Sequence, residues 1–511
     1  MNSENIKNDF GTKQISINMI ANIVSYSSNL VISFVLTPFL INVLGKDIYS
    51  FYPLANTIVS YMSILTNSLN TMASRFVTVS LVKKEEEEAN KYFTSVLTSN
   101  IILGGILLIP LVLIVVFVDK ILNVPINSVA AVRMLFSFVF ASMLVNIVGS
   151  IYGIATFAKN RIDLRSIREI TTAVIRLLLF YLFYRFLNAS IVYVGIVTFV
   201  VAIINLLFQK AYTKILLPDI KIEKKYFSKS HTLTLLSSSG WNLIFVFGNT
   251  LLAGMTLIFS NILFGADAGG VMSIVQTVPQ FINGIISMLV GVFFPVITYR
   301  IAKNDIHGTI GQIKKAESII SVFSCAIIVT FSALATEFFG LWVPGENAPY
   351  LSELSFITIL PHMIISCMWI LTNLNVALNK VKSPAIFTIL IGIINIIASL
   401  VSVKLFNASL FILPLISTLL QIVWAGIYLP IYAANELNVS KFIFYPPLIK
   451  ALIGSSICFV IIIKFKAFFQ LTSWFSFLIF GCFCGIIVLI ILGLLEFGPK
   501  QIIKNISSVK R

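Results

Sequence analysis

The sequence predicts an all-α polytopic membrane protein with fourteen transmembrane helices, and three observations carry that prediction. The 511 residues are 58% apolar and only 11% charged, with a mean hydropathy of +0.98, whereas soluble domains carry about 25% charged residues. Uncharged stretches long enough to cross a hydrocarbon core of about 30 Å recur along the whole chain. The Lys and Arg residues that separate them fall on alternate sides with a strong bias.

The spans can be read between the charges in chain order. Long uncharged intervals lie within 13–46, 47–75, 91–119, 133–159, 185–210, 229–267, 267–300, 353–380, 404–436 and 466–496. Shorter or charge-interrupted spans fall near 169–186, 316–336, 384–403 and 446–463. An even number of crossings puts both termini on one side. Of the 36 Lys and Arg, only Lys46, Lys120, Arg185, Lys404, Lys464 and Lys466 fall on the opposite side. Arg75, Arg133 and Arg176 lie inside spans, and the remaining 27 share the side of the termini, which is therefore expected to be cytoplasmic. Most of the net charge of +16 is thus topology, and charges this sparse cannot form a nucleic-acid-binding face. The first fourteen residues are mostly polar and the apolar run after them is too long for a signal peptide, so the first helix is expected to be retained. Connections are short, the longest being the basic stretch 217–230, which leaves no soluble domain for a nucleotide or a catalytic site. The five Cys stand in apolar runs without zinc-type spacing, so neither a metal nor any other cofactor is expected.

The chain also repeats itself. At an offset of 220, Asn22, Asn29, Phe39, Gly45, Asp47, Asn56, Thr57 and Lys83 meet Asn242, Asn249, Phe259, Gly265, Asp267, Gln276, Thr277 and Lys303. At 219, Ala158, Asn160 and Arg161 meet Ala377, Asn379 and Lys380. The offset covers six helices, so two similarly oriented halves related by a pseudo-two-fold along the membrane normal are expected. The implied division is an N-lobe of helices 1–6 (1–216), a basic linker (217–230), a C-lobe of helices 7–12 (231–434), and an appended pair of helices with a basic cytoplasmic tail (435–511). Substrate would then bind between the lobes.

Polar residues at helical spacing mark the faces turned away from lipid. The first helix carries Asn18, Asn22, Asn29, Ser33 and Thr37. The second carries Asn56, Ser60, Ser63, Asn67, Asn70, Thr71, Ser74, Arg75 and Thr78. Their repeat mates carry Ser238, Asn242 and Asn249, and Gln276, Gln280, Asn283 and Ser287. Such side chains either line a watery cavity or join helices by hydrogen bonds. The arginines are sharper signals, because one at the membrane centre costs about 2.5 kcal/mol or more. Arg176 and Arg75 read as anion ligands, with pairing to carbonyls or, for Arg176, to Glu169 two turns earlier as the alternative. Arg133 sits where it can snorkel. Glu169, Glu317 and Glu436 are expected at cytoplasmic helix ends and Glu337 at an external one, leaving no acid deep in a span. A cavity with cations and no acid suits a phosphate.

Leu44-Gly45-Lys46-Asp47-Ile48-Tyr49, then Tyr52-Pro53-Leu54, the run through Ser74-Arg75-Phe76, and Ala377-Leu378-Asn379-Lys380 together resemble the polysaccharide flippases of O-antigen and capsule synthesis. These belong to a superfamily that includes multidrug exporters and lipid II flippases. The resemblance runs from the first to the twelfth helix. It implies two six-helix bundles, a cavity walled by helices 1, 2, 7 and 8, and alternating access. It also implies a polyprenyl-pyrophosphate-linked oligosaccharide as substrate, moved from the cytoplasmic to the external leaflet of a bacterial inner membrane. Arg75 is similar in position to a cavity cation of such flippases, whereas the role of Arg176 rests on depth alone. The site set is therefore Arg75 and Arg176 for pyrophosphate, with Asn22, Asn29, Asn67, Asn70, Asn242, Asn249, Gln276, Gln280 and Asn283 for sugar hydroxyls. Membrane lipids, a polysaccharide polymerase and glycosyltransferases are the expected partners. A multidrug exporter of the same fold and, further off, a membrane enzyme of polysaccharide assembly are the competing readings; an enzyme would need an acid–base pair or a sizeable external loop.

Overall fold

The computed structural model describes the backbone of residues 12–498, with side chains except at 12, 13, 15, 16, 19, 65, 67, 68, 71, 236–239, 294, 295 and 302. Every regular element among the described residues is helical. The long helices are α1 (Thr12–Leu44), α2 (Phe51–Val82), α3 (Glu86–Val116), α4 (Val129–Gly149, continued through a tighter turn to Ala158), α5 (Ile162–Phe186), α6 (Val192–Leu216) and α7 (Lys229–Phe264). They continue as α8 (Ala266–Ala302), α9 (Ile306–Trp342), α10 (Ala348–Ile359 and His362–Ala377), α11 (Lys382–Phe406), α12 (Ile412–Glu436), α13 (Tyr445–Lys466) and α14 (Trp474–Phe497). Among the described residues, twelve of these are long and apolar enough to cross a membrane. Helices α2 and α5 carry Arg75 and Arg176.

The repeat is written into the backbone as well as the sequence. Helices α1, α2, α5 and α6 end at Leu44, Val82, Phe186 and Leu216, and α7, α8, α11 and α12 end 220 residues later at Phe264, Ala302, Phe406 and Glu436. Three left-handed turn residues recur: Gly45 and Gly265 at φ of 82° and 94° and Lys84 and Asn304 at 62° and 55°, each 220 residues apart, and Asn160 and Asn379 at 51° and 57°, 219 apart. A left-handed residue ends a helix by turning the chain where its carbonyls run out of partners. Conserving that position in both copies fixes where each helix stops.

The chain divides into two compact units, residues 1–250 with 264–270, and 251–263 with 271–511. In the first unit α6 packs along α4, α1 along α5, and α2 against α3 and α4. Leu69, Ala73 and Val77 of α2 meet Phe93 and Val96 of α3 and Ile151 and Ile154 of α4 in a closed apolar core. The connection between α6 and α7 is stitched onto α3: Lys221 and Ser228 donate their backbone N–H to Asn90 and Ser95, and His231 lies 2.8 Å from Glu88. The start of α8 packs under the turn after α1, where Lys46 pairs with Asp267 at 3.1 Å. A Cβ on Gly270 would stand 2.6 Å from the Lys46 carbonyl, so only glycine permits this approach.

In the second unit α9 is the central rod, buried along 61% of its spanning window, and α10, α13 and α14 pack around it. The two C-terminal helices are therefore integral to this unit. Helix α12 opens into a wider π-helical turn at Val423–Tyr428. That turn aligns Trp424, Tyr428 and Tyr432 into a ladder with Phe387, the Phe387–Tyr428 rings lying 3.9 Å apart and 9° from parallel.

Candidate functional site: a polar seam in the first unit

Helices α1 and α5 run parallel, and their register is fixed by a series of side-chain contacts. Asn18 donates to the Asn160 carbonyl at 2.8 Å, Gln14 to Asp163 at 3.1 Å, and Ser25 to Glu169 at 2.7 Å. Further along, the Phe39 and Tyr184 rings meet edge to face at 5.5 Å. Asn18, Ser25 and Ile32, a heptad apart on α1, are buried, and the first two make the seam's hydrogen bonds. Asn22 and Asn29 flank it by one helical step, Asn22 exposed and Asn29 half-buried.

Arg176 stands two residues past the midpoint of α5. The buried residues Thr172, Ala173 and Phe180 are four, three and four positions away, so Arg176 is half-buried on the packed face of the helix. Glu169, the acid that could have neutralised it, is already engaged: Arg165 lies 2.8 Å from it, Arg168 at 3.7 Å, and Ser25 donates to its other oxygen. Arg176 makes no ion pair or hydrogen bond among the described residues. In the α1–α5 register Asn29 falls about 4.5 Å before Arg176 along the helix axes. The seam thus runs from an ion-pair cluster near the starts of α1 and α5 to an amide and, near the middle of α5, a guanidinium with no ion pair among the described residues.

Arg75 is placed differently. The core-facing residues of α2 near it are Ala73 and Val77, and Arg75, about 200° around the helix from either, is exposed and also unpaired among the described residues. Asn70 is spent on packing: it donates to Ser150 at 2.7 Å and to the Thr66 carbonyl at 2.7 Å, and accepts from Asn100 at 3.2 Å, tying α2 to α3 and α4. The Asn67 side chain lies outside the described residues. On α7, Asn242 is half-buried and Asn249 donates to the carbonyl of Phe245, one turn back. Asn29 does the same to Ser25. A bond of this kind parks one amide proton on the helix and leaves the amide oxygen open. On α8, Gln276 and Asn283 are half-buried and Gln280 is exposed, forming one stripe beside the buried positions Val275, Ile282 and Ile286.

Two expectations change. Arg133, read as free to snorkel, is held by Asp119 at 2.8 Å, and this hydrogen bond keeps the Asp119 carboxyl below its usual range. Glu317, expected at a helix end, is eleven residues inside α9 and fully buried. The charged run Lys314-Lys315 suggests a loop, but α9 begins at Ile306, so the run is part of the helix. A second feature had no signal in the sequence: a surface cleft of about 420 Å³ lined by Lys380, Lys382, Phe387, Tyr428, Tyr432 and Glu436, in which Lys380 pairs with Glu436 at 3.3 Å.

The profile of the polysaccharide biosynthesis protein family matches residues 15–301, more than half of the chain. The chain belongs to that family. It is 23% identical over 462 residues, 90% of this chain and 91% of the relative, to the uncharacterized membrane protein EpsK of Bacillus subtilis (strain 168). Its fold is similar to an inward-facing multidrug resistance transporter of the MATE family in the MOP superfamily, with TM-score 0.70, 12% identity, and coverage of 83% and 97% of the two chains. It is also similar to the lipid II flippase MurJ in an inward closed conformation, with TM-score 0.62, 15% identity, and coverage of 94% and 98%. This polysaccharide-family member is thus a multi-pass membrane protein with a fold shared by transporters and a flippase.

Proposed function

We propose that the protein flips polyprenyl-pyrophosphate-linked oligosaccharide repeat units from the cytoplasmic to the external leaflet by alternating access, for surface polysaccharide synthesis, and is not an enzyme. The observation that carries the reading is Arg176: a half-buried cation near the middle of α5 whose nearest acid on the same helix is fully engaged elsewhere. A charge kept in the membrane without a partner is costly and marks a ligand path, and a guanidinium is suited to gripping phosphate oxygens in pairs. Family membership supplies the sugar side of the argument. Asn22, Asn29, Asn242, Asn249, Gln276, Gln280 and Asn283 offer amide groups for hydroxyls, and Arg75 is a second cation for the pyrophosphate. The Lys and Arg segregation supports cytoplasmic termini in a bacterial inner membrane, where the lipid-linked substrate, a polymerase and glycosyltransferases would be the partners.

The test is complementation of a deletion strain with Arg176→Gln. Loss of a charge-assisted contact of about 1.5–3 kcal/mol predicts roughly a ten- to hundredfold fall in surface polysaccharide. Lipid-linked repeat units should accumulate and protein level in the membrane should stay unchanged; normal export by this variant would refute the assignment. A second reading, a multidrug exporter, is favoured by the fold similarity to MATE transporters and by the buried acid on α9. It predicts hypersensitivity of the deletion strain to cationic drugs with polysaccharide intact.

A further inference from the structure

Glu317 has no part in gripping a pyrophosphate, and its surroundings ask for a cation. It is 0% exposed, and neither carboxyl oxygen has a hydrogen-bond partner among the described residues. Isolated ionised carboxylates are among the costliest groups to bury, and interiors leave few polar atoms unpaired without a reason. Helices α10, α13 and α14 pack against α9. From α14 comes Glu496, its side chain 2% exposed and one oxygen unpaired. From α13 comes Lys450, half exposed, with Nζ 3.6 Å from the other Glu496 oxygen. Ser318, next to Glu317 in the chain, is within side-chain reach of the Glu496 carboxyl. On α9 itself Lys314 is the nearby cation, and Cys367 of α10 lies within electrostatic range of Glu317.

The Ser324–Ser366 hydrogen bond of 2.7 Å joins α9 to α10. Asn375 of α10, 2% exposed and with both amide atoms unpaired among the described residues, lies nine residues after Ser366. That places it about 180° around α10 from the α9 contact, so it does not partner Glu317. A metal ion would need room and several oxygen ligands. Yet α13 and α14 are in close contact beside this cluster, where a Cβ on Gly454 would stand 2.6 Å from Leu492. No group of three His, Cys, Asp or Glu fit for a metal occurs among the described residues. A proton is the one cation that needs no space.

We propose that Glu317 is a proton-binding site of the second unit, reached from the surface past Lys450 through Glu496 and Ser318. Loading takes a proton from the aqueous phase onto Glu496 and then onto Glu317, which becomes a neutral acid and no longer carries a buried charge. Unloading leaves an uncompensated charge against α10, which only movement of α9 or entry of water relieves. Proton occupancy is thereby linked to the packing of α9. Its use to energise transport rests on the flippase reading; the binding of a proton does not.

The test is infrared difference spectroscopy of the purified full-length protein in lipid vesicles, titrated from acid to alkaline pH without substrate. The native protein is expected to show the C=O stretch of a buried protonated carboxyl that titrates away as pH rises. Glu317→Gln should lose that band, and Glu496→Gln should keep it while slowing its deuterium exchange about tenfold. Glu317→Met, apolar and of similar volume, serves as a second variant, and both Glu317 variants should retain the native melting transition. Identical spectra for the native protein and Glu317→Gln at every pH would overturn the proposal, as would loss of the band on adding sodium at constant pH. Because no substrate is present, failure here is separable from failure of the Arg176 experiment.

Discussion

At Arg176 a cation sits on the packed face of α5 and spends none of its donors on the described residues. Its depth is legible in the sequence; its freedom is not, because Glu169 two turns earlier offers an obvious partner. Only the fold shows that Arg165 and Ser25 take both oxygens of that acid. Arg176→Lys is expected to restore export only in part, since an ammonium keeps the charge but loses the planar fork; full activity in a repeat-unit export assay would contradict bidentate binding. Asn70 teaches the opposite lesson. It belongs to the same sequence stripe as Arg75, yet its amide closes a bond network with Asn100 and Ser150. Asn70→Ala should therefore cost stability, about 1 kcal/mol, seen as a lower melting temperature in detergent, with export per folded molecule near native.

Among the elements, the turn from α8 to α9 shows how a helix start is held. Asp305 accepts from the Gly308 backbone N–H at 2.8 Å and from Arg300 at 2.8 Å. The Gly308 hydrogen bond and then the Arg300 guanidinium keep the Asp305 carboxyl below the usual carboxylate range. A depressed value means the contribution is present above the unfolded carboxyl value of about 3.9 and is lost as pH falls through the folded one. Asp305→Ala is thus expected to melt below the native protein at neutral pH, the gap closing on acidification below about pH 4. A gap constant with pH would remove the charged bond from the account. At Gly308 a Cβ would collide with Arg300 and Asp305, so Gly308→Ala should disturb the same turn. Helices α1 and α5 illustrate a longer device, in which Asn18, Ser25 and Glu169 set a register that carries Asn29 up to Arg176.

On the scale of the whole molecule, the repeat offset of 220 read from scattered Asn, Gly and Lys residues reappears as matched helix ends and matched left-handed turns. Such residues are legible because their spacing is local. The role of α13 and α14 is not, because they have no counterpart in the repeat and their apolar sequence suits lipid or protein equally. In the fold they pack on α9, with Lys466 bonded to the Ala333 carbonyl at 2.9 Å and paired with Glu337 at 3.0 Å. Truncation before Tyr445 should therefore strip the central rod of the second unit and abolish folded protein in detergent size-exclusion chromatography. A monodisperse truncated protein would show that the pair is dispensable.

The sequence by itself determined the all-helical membrane class, the repeat and the short list of polar positions, because the bilayer imposes length and apolarity residue by residue. Tertiary structure decided which of those polar groups are spent and which are free. Asn70, Arg133 and Glu169 find partners 30, 14 and 144 residues away, whereas among the described residues Arg176 has no ion pair and Glu317 is enclosed without a hydrogen-bond donor. Hydrogen-bond satisfaction depends on neighbours brought together by packing, and no pattern along one chain records it.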